Sequence, residues 1–274
     1  MIMGSFNNII GELIMSDLGN RMKGYEAVSK SSLIRRMPVI LRLDGCHFHT
    51  FTKGFEKPFD EVIMCSMINT MKYLCQNIQG CVFGYTQSDE ISLILVDYKK
   101  LNSSAWYDNE VQKMCSVASS LCTLAFNHIF RGEVHKHVPE YFNDKEKGKY
   151  LSAYNKALET GAVFDCRAFN VPKEDVCNCI IWRQQDAMRN SVQSLAQSQF
   201  SHKELQGLSC NKLKDKLLKE RNINWDDLDV YKKLGIACYN RGKEHSDWVV
   251  DFCMPILTQD RDYINNHIFI NENE

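Results

Sequence analysis

The order in which hydrophobic periodicity changes between residues 38 and 172 is what most constrains the fold of this chain. In Pro38–Gly45, Val39, Leu41 and Leu43 alternate with Ile40, Arg42 and Asp44, the period of two of a strand, and Asp44 closes it just before a glycine. A loop with Phe48, Phe51, Phe55 and Pro58 leads into a helix expected from Asp60, a good cap, to Gly80, a good stop. Ile63, Met67, Met71, Leu74 and Ile78 form its core stripe. Cys81–Gln87 and Glu90–Val96 read as two strands joined tightly at Ser88-Asp89. A second helix is expected over Asn109–Phe130, followed by a polar, charged loop from Arg131 to Tyr150 and a strand over Ala162–Phe169 that ends at Pro172. The order β-α-β-β-α-β is the split, ferredoxin-like unit of an α+β fold. Ahead of it, Ser16 is placed to cap a first helix with Leu18, Met22, Tyr25 and Val28 on one face. Behind it, residues 173–274 read as a mainly helical extension packed on a core of residues 1–172, with helices over Lys173–Phe200 and Ser209–Arg221.

One stretch looks misplaced in that order. Gly84-Tyr-Thr-Gln-Ser-Asp-Glu-Ile-Ser-Leu-Ile-Leu95 has the composition of a buried strand, with Ser88, Asp89 and Glu90 in its middle. As a hairpin, it carries the polar triplet at its tip. The first strand and the hairpin of the split unit commonly lie side by side, which brings Asp44 to Asp89 across 45 residues (89 − 44). Two carboxylates about 6 Å apart repel by roughly 3 kcal/mol at an effective dielectric near 20, before desolvation. A pair of divalent cations offsets this directly, and two metals about 3.5–4 Å apart are the usual device for in-line displacement at phosphorus. Mg2+ suits the task, because it takes oxygen ligands and keeps waters and substrate phosphates in its shell. The plainer alternative is that Asp89 makes the turn, Glu90 faces solvent and Asp44 bonds local amides before the glycine. Either segment alone favours that plainer reading, whereas the two together, in the order of a polymerase palm, favour metal binding. Ser88 is either a turn residue or a hydroxyl for metal-bound phosphate.

Charge and cysteine content narrow the function classes. With 33 basic against 34 acidic residues, the chain lacks the overall footprint of a nucleic-acid coat or membrane-surface protein, so a polyanion must be gripped locally. No apolar run approaches the roughly 18 residues of a membrane span. The 12 cysteines are scattered without a cleavable signal and read as reduced thiols of a cytosol-like compartment. Met1–Met15 carries no arginine and one Glu, which argues against a mitochondrial address without closing that option. Cys177-x-Cys179 and His135-x-His137 lack the spacing of a structural zinc site.

Several segments together carry a resemblance. Arg42-Leu-Asp-Gly-Cys-His-Phe-His-Thr-Phe51, Lys57-Pro-Phe-Asp60, Gly84-Tyr-Thr-Gln-Ser-Asp-Glu-Ile91, Phe164-Asp-Cys-Arg167 and Trp182-Arg-Gln-Gln-Asp186 resemble the tRNA-His guanylyltransferase superfamily, in the same order. Asp186-Ala-Met-Arg-Asn-Ser191, Phe200-Ser-His-Lys-Glu-Leu205 and Gly207 are more similar to its guanylyltransferase-like, tRNA 5′-end repair branch.

The resemblance implies a polymerase-palm-like core that adds nucleotides to tRNA in the 3′-to-5′ direction. The 5′ end is activated by ATP or GTP, and the 3′-hydroxyl of an incoming nucleoside triphosphate attacks the activated phosphorus. It implies two Mg2+ ions held by Asp44, Asp89 and the Gly45 carbonyl, with Glu90 supporting the site. Gly45, Cys46, His47, Phe48 and His49 would wrap a triphosphate through backbone N–H groups, helped by Ser88, Lys57 and Lys113. Arg167, Arg183, Asp186, Arg189 and Asn190 are a candidate RNA or second-nucleotide site, although Arg167 could equally form an internal ion pair. Cys46 stands where many members have arginine. Asp108 to Glu110 is acidic where eukaryotic guanylyltransferases are basic, and Met188-Arg189-Asn190 replaces their His-Ile-Asn. These departures favour template-directed repair over addition of a single G at position -1 of tRNA-His. Lys145, Lys147, Lys149 and the helix bearing Lys212, Lys214, Lys216, Lys219 and Arg221 are candidate tRNA contacts, and a homotetramer is expected. The rival readings are a palm-type nucleotide cyclase, which has no use for Asp186–Gly207, and a non-catalytic RNA-binding protein, which would have no reason to keep Asp44, Ser88, Asp89 and Lys57.

Overall fold

One antiparallel sheet organises the chain, with strands in the order β4-β1-β3-β2-β5-β6. The computed structural model describes residues 17–143, 148–242 and 247–269. The strands are β1 (Val39–Gly45), β2 (Cys81–Gln87), β3 (Glu90–Leu95), β4 (Phe164–Asn170), β5 (Ile236–Asn240) and β6 (Trp248–Asp251). The helices are α1 (residues 17–27), α2 (Phe48–Phe51), α3 (Glu61–Asn77), α4 (Val111–Asn143), α5 (Leu151–Thr160), α6 (Lys173–Gln199), α7 (His202–Leu205), α8 (Cys210–Arg221), α9 (Val230–Leu234) and α10 (Asp262–Ile268). The predicted β-α-β-β-α-β order is present, and β1 lies between β3 and β4.

Strand alternation divides the core between two faces. Leu41 and Leu43 of β1 and Ile91 and Leu93 of β3 pack against Met67, Met71 and Leu74 of α3 and Met114, Phe126 and Phe130 of α4. Ile40, Ile94, Phe83 and Tyr85 point the other way, onto Val176 and Ile180 of α6 and Ile264 and Ile268 of α10. Full burial of each large apolar side chain contributes about 1.5–3 kcal/mol. Asp60 caps α3 as expected, its carboxylate accepting from the Ile63 N–H at 3.0 Å.

Four expectations need correction. The segment from Arg131 onward continues α4 to Asn143 instead of looping: Phe126, Phe130, Val134 and His137 are buried at helical spacing, so the charges line its outer side. The start of α4 moves to Val111, because Tyr107, Asp108 and Asn109 adopt left-handed backbone conformations (φ 49, 51 and 59°). The C-terminal region supplies β5 and β6, and β5 pairs with β2, so that region extends the sheet as well as packing on it. Helix α1 exists, but Tyr25 and Val28 are 70% and 86% exposed, so its apolar face is not buried among the described residues; Ser16, its expected cap, lies outside the described residues.

Candidate active site

The register around β1 assembles the acidic residues. Asp44 is opposite Glu90 on β3 and Asp165 on β4, while Arg42 is opposite Ser92 and Arg167. Directly opposed residues share a face, so a row of three carboxylates adjoins a row holding two guanidinium groups. Neither Asp165 nor Arg42 was given a role from the sequence, although the β1–β4 pairing would have pointed to both. The hairpin tip is seated against β1 by the Gly45 N–H, which donates to the Asp89 carbonyl at 3.1 Å. Ser88 turns the hairpin in a left-handed conformation (φ 52°) and its hydroxyl donates to the Asp89 carboxylate at 2.9 Å.

The electrostatics distinguish the acids. Burial pushes the Asp89 carboxyl above the ordinary aspartate value and the neighbouring Asp44 charge adds to the rise, opposed by the Ser88 hydrogen bond. The Asp44 carboxylate has no hydrogen-bond or ion-pair partner among the described residues. Glu90 is buried and does not face solvent: Arg183 Nε donates to its Oε1 at 2.7 Å, and burial raises its pKa against the opposing Arg183 charge. No group of three or more His, Cys, Asp or Glu side chains is arranged to hold a metal among the described residues. The unpaired Asp44 carboxylate, the Asp89 carboxylate bonded only locally to Ser88, and the Gly45 carbonyl at the end of β1 form an all-oxygen set, which fits Mg2+ because that ion completes its shell with waters and substrate phosphates.

Gly45 is required by packing. A Cβ there would lie 2.2 Å from the buried Phe48 ring, whose neighbours include Phe51, Phe126 and Phe164. Two of the backbone N–H groups of Gly45–His49 are already bonded: Gly45 N–H donates to the Asp89 carbonyl and Cys46 N–H to the Val163 carbonyl at 2.8 Å, which leaves His47, Phe48 and His49 at the start of α2 without a backbone acceptor among the described residues.

A cleft of about 420 Å³ opens beside the hairpin tip. His49, Lys57, Ser88, Asp89 and Asn190 line it, as do Ile63, Met64 and Met67 of α3 and Ser194 and Gln197 of α6. Lys113 is not in its wall; that lysine pairs with Glu110 at 3.4 Å. Arg167 forms an ion pair with Asp165 at 3.9 Å. Arg183, Arg189 and Asn190 all bond to Asp186, Arg183 at 2.8 Å and Asn190 at 3.3 Å; burial would raise the Asp186 pKa, but the Arg189 and Arg183 contacts outweigh it and hold it low.

The basic surface is more committed than its sequence suggests. Lys214 pairs with Asp226 and lies over the Trp225 ring, Lys216 pairs with Glu220, and Arg221 lies over Phe200. Lys145 and Lys147 lie outside the described residues. All 12 cysteines are free thiols, and among the described residues no helix is long and apolar enough to cross a membrane.

Comparison with known proteins gives this site its context. The family model described as Thg1, tRNAHis guanylyltransferase, matches residues 19–172. An uncharacterised protein of Acanthamoeba polyphaga mimivirus is 30% identical over 85% of this chain and 79% of its own. The tRNA(His) guanylyltransferase 2 of Arabidopsis thaliana is 26% identical over 77% of this chain and 37% of its own. Among solved structures, a bacterial Thg1-like protein in complex with ATP is 43% identical, with a TM-score of 0.79 over 92% of this chain and all of its own. The Saccharomyces cerevisiae enzyme, 19% identical with a TM-score of 0.62 over 85% of this chain and 96% of its own, shares the fold. The fold and site thus define a nucleotidyltransferase. The chain belongs to the tRNAHis guanylyltransferase family.

Proposed function

We propose that this protein repairs tRNA 5′ ends by template-directed, 3′-to-5′ nucleotide addition on a polymerase-palm-like core. The observation that carries the reading is the seating of Asp89 against the Gly45 end of β1, which joins Asp44 and Asp89 beside a cleft bearing Lys57 and Ser88. Asp44, Asp89 and the Gly45 carbonyl would hold two Mg2+ ions, which when bound neutralise phosphate charge and polarise the reacting phosphoryl group. The apolar α3 wall and the polar Ser194 and Gln197 wall suit a nucleobase, and the free N–H groups of His47, Phe48 and His49 suit phosphate oxygens. In the activation step the RNA 5′-phosphate attacks the α-phosphorus of ATP or GTP and pyrophosphate leaves. In the addition step the 3′-hydroxyl of the incoming nucleotide attacks the activated 5′ phosphorus and the nucleoside monophosphate leaves.

What supports the repair branch is the sequence of α6 and α7, where Met188-Arg189-Asn190 replaces the His-Ile-Asn of eukaryotic guanylyltransferases and Phe200–Leu205 resembles that branch; the similar bacterial Thg1-like chains, solved with ATP and with GTP, support nucleoside triphosphates as substrates. We place the reaction in a reducing compartment, the cytosol, in a homotetramer whose subunits share one tRNA, with Arg167 and exposed lysines such as Lys149, Lys212 and Lys219 as contacts. The alternative, addition of one G to tRNA-His, is separated by incubating the protein with Mg2+ and nucleoside triphosphates and either a 5′-monophosphorylated tRNA lacking its first nucleotide or intact tRNA-His. Repair predicts faster extension of the truncated tRNA; preferential extension of intact tRNA-His contradicts it.

A further inference from the structure

Arg183 is nearly buried and does not line the cleft. Its side chain is 9% exposed, Nε donates to Glu90 at 2.7 Å, Nη2 donates to Asp186 at 2.8 Å, and the guanidinium lies 4.4 Å from the Trp182 ring centroid. Its two anions belong to different parts of the site. Glu90 is opposite Asp44 and follows Asp89 directly, so fixing it fixes the start of β3 and the hairpin tip. Asp186, one turn further along α6, also accepts from Arg189 and from Asn190, and Asn190 lines the cleft.

We propose that Arg183 is a positioning residue: shared between Glu90 and Asp186, it holds the carboxylate row and the cleft wall in one fixed relation and contacts neither nucleotide nor RNA. This rests on the function proposed above. The role suits a planar guanidinium, which directs donors at two carboxylates at once, whereas a lysine ammonium is a compact charge on a flexible stem. Arg183 and Asp186 are thereby removed from the candidate RNA-binding set. Arg167 on the β4 edge, 52% exposed, stays in it.

The test uses the full-length protein and three readouts: Mg·ATP affinity by calorimetry, and kcat and KM for the truncated tRNA. Arg183→Lys is expected to keep its circular dichroism spectrum and its KM for RNA within about twofold. It is expected to lose at least about tenfold in kcat and fivefold in Mg·ATP affinity, in the range of lost supporting contacts at metal sites. A tenfold rise in KM for RNA with unchanged Mg·ATP affinity would make Arg183 an RNA contact and overturn the proposal, as would wild-type values throughout. If Arg183→Lys does not fold, Asp186→Asn, which weakens one arm only, is held to the same criteria: both losses support the role and unchanged values overturn it. A wild-type protein that binds Mg·ATP but extends no RNA overturns the proposed reaction instead, and the calorimetric comparison alone then decides the role of Arg183.

Discussion

Asp44 sits directly opposite Glu90 on adjacent strands, yet only Glu90 has a cation bonded to it, the Arg183 guanidinium at 2.7 Å. The unpaired acid is the one available to a metal. Asp44→Ala and Asp89→Ala should each lower kcat at least about a thousandfold, roughly 4 kcal/mol of transition-state stabilisation, with the fold intact. Glu90→Gln should cost about 10- to 100-fold, as for a residue that supports ligands. Single-turnover extension assays on the three variants check this ranking.

The raised Asp89 pKa makes a stability prediction. A carboxyl whose folded pKa lies above its ordinary value of 3.8 contributes stability that is fully present below that value and lost as pH rises through the folded pKa. Without divalent cation, Asp89→Asn should therefore be more stable than wild type at neutral pH, the gain vanishing below about pH 4. Thermal unfolding at several pH values in EDTA measures it. Adding Mg2+ with ATP should stabilise wild type and not the variant.

Local patterns foretold much of this arrangement and failed at specific places. The hairpin was legible because Ser88 and Asp89 interrupt two apolar runs, and the placing of β1 beside it, with Asp44 opposite Glu90, followed from the usual strand order. The Glu90–Arg183 pair was not legible, since nothing in a sequence shows which of two adjacent acids turns inward across 93 residues. The end of α4 is not legible because its dense charge reads as a loop, although Val134 and His137 continue the buried stripe. Strands β5 and β6 are not legible because four or five residues are too few to establish a period.

That extension of α4 is itself testable. Val134 is 2% exposed, so Val134→Asp buries a charge and should destabilise the protein by at least about 3 kcal/mol. At this chain length that corresponds to a Tm lower by roughly 6–12 °C. An exposed loop would tolerate the change.

Gly45→Ala should damage the site through packing. Its methyl would meet the Phe48 ring at 2.2 Å, and that ring is confined among other aromatic side chains, so the end of β1 must shift. We expect a destabilisation of about 1–3 kcal/mol and Mg·ATP binding weakened beyond tenfold, read by calorimetry on folded protein.

The most direct test of template-directed 3′-to-5′ addition is the identity of the nucleotide added. A set of 5′-monophosphorylated tRNAs lacking the first nucleotide, differing only in the base opposite the gap, is incubated with Mg2+ and all four nucleoside triphosphates, and the product 5′ ends are sequenced. The added nucleotide should follow the opposing base in every case and be absent with Asp89→Ala. Addition of G whatever the opposing base, or extension by Asp89→Ala at the wild-type rate, would contradict it.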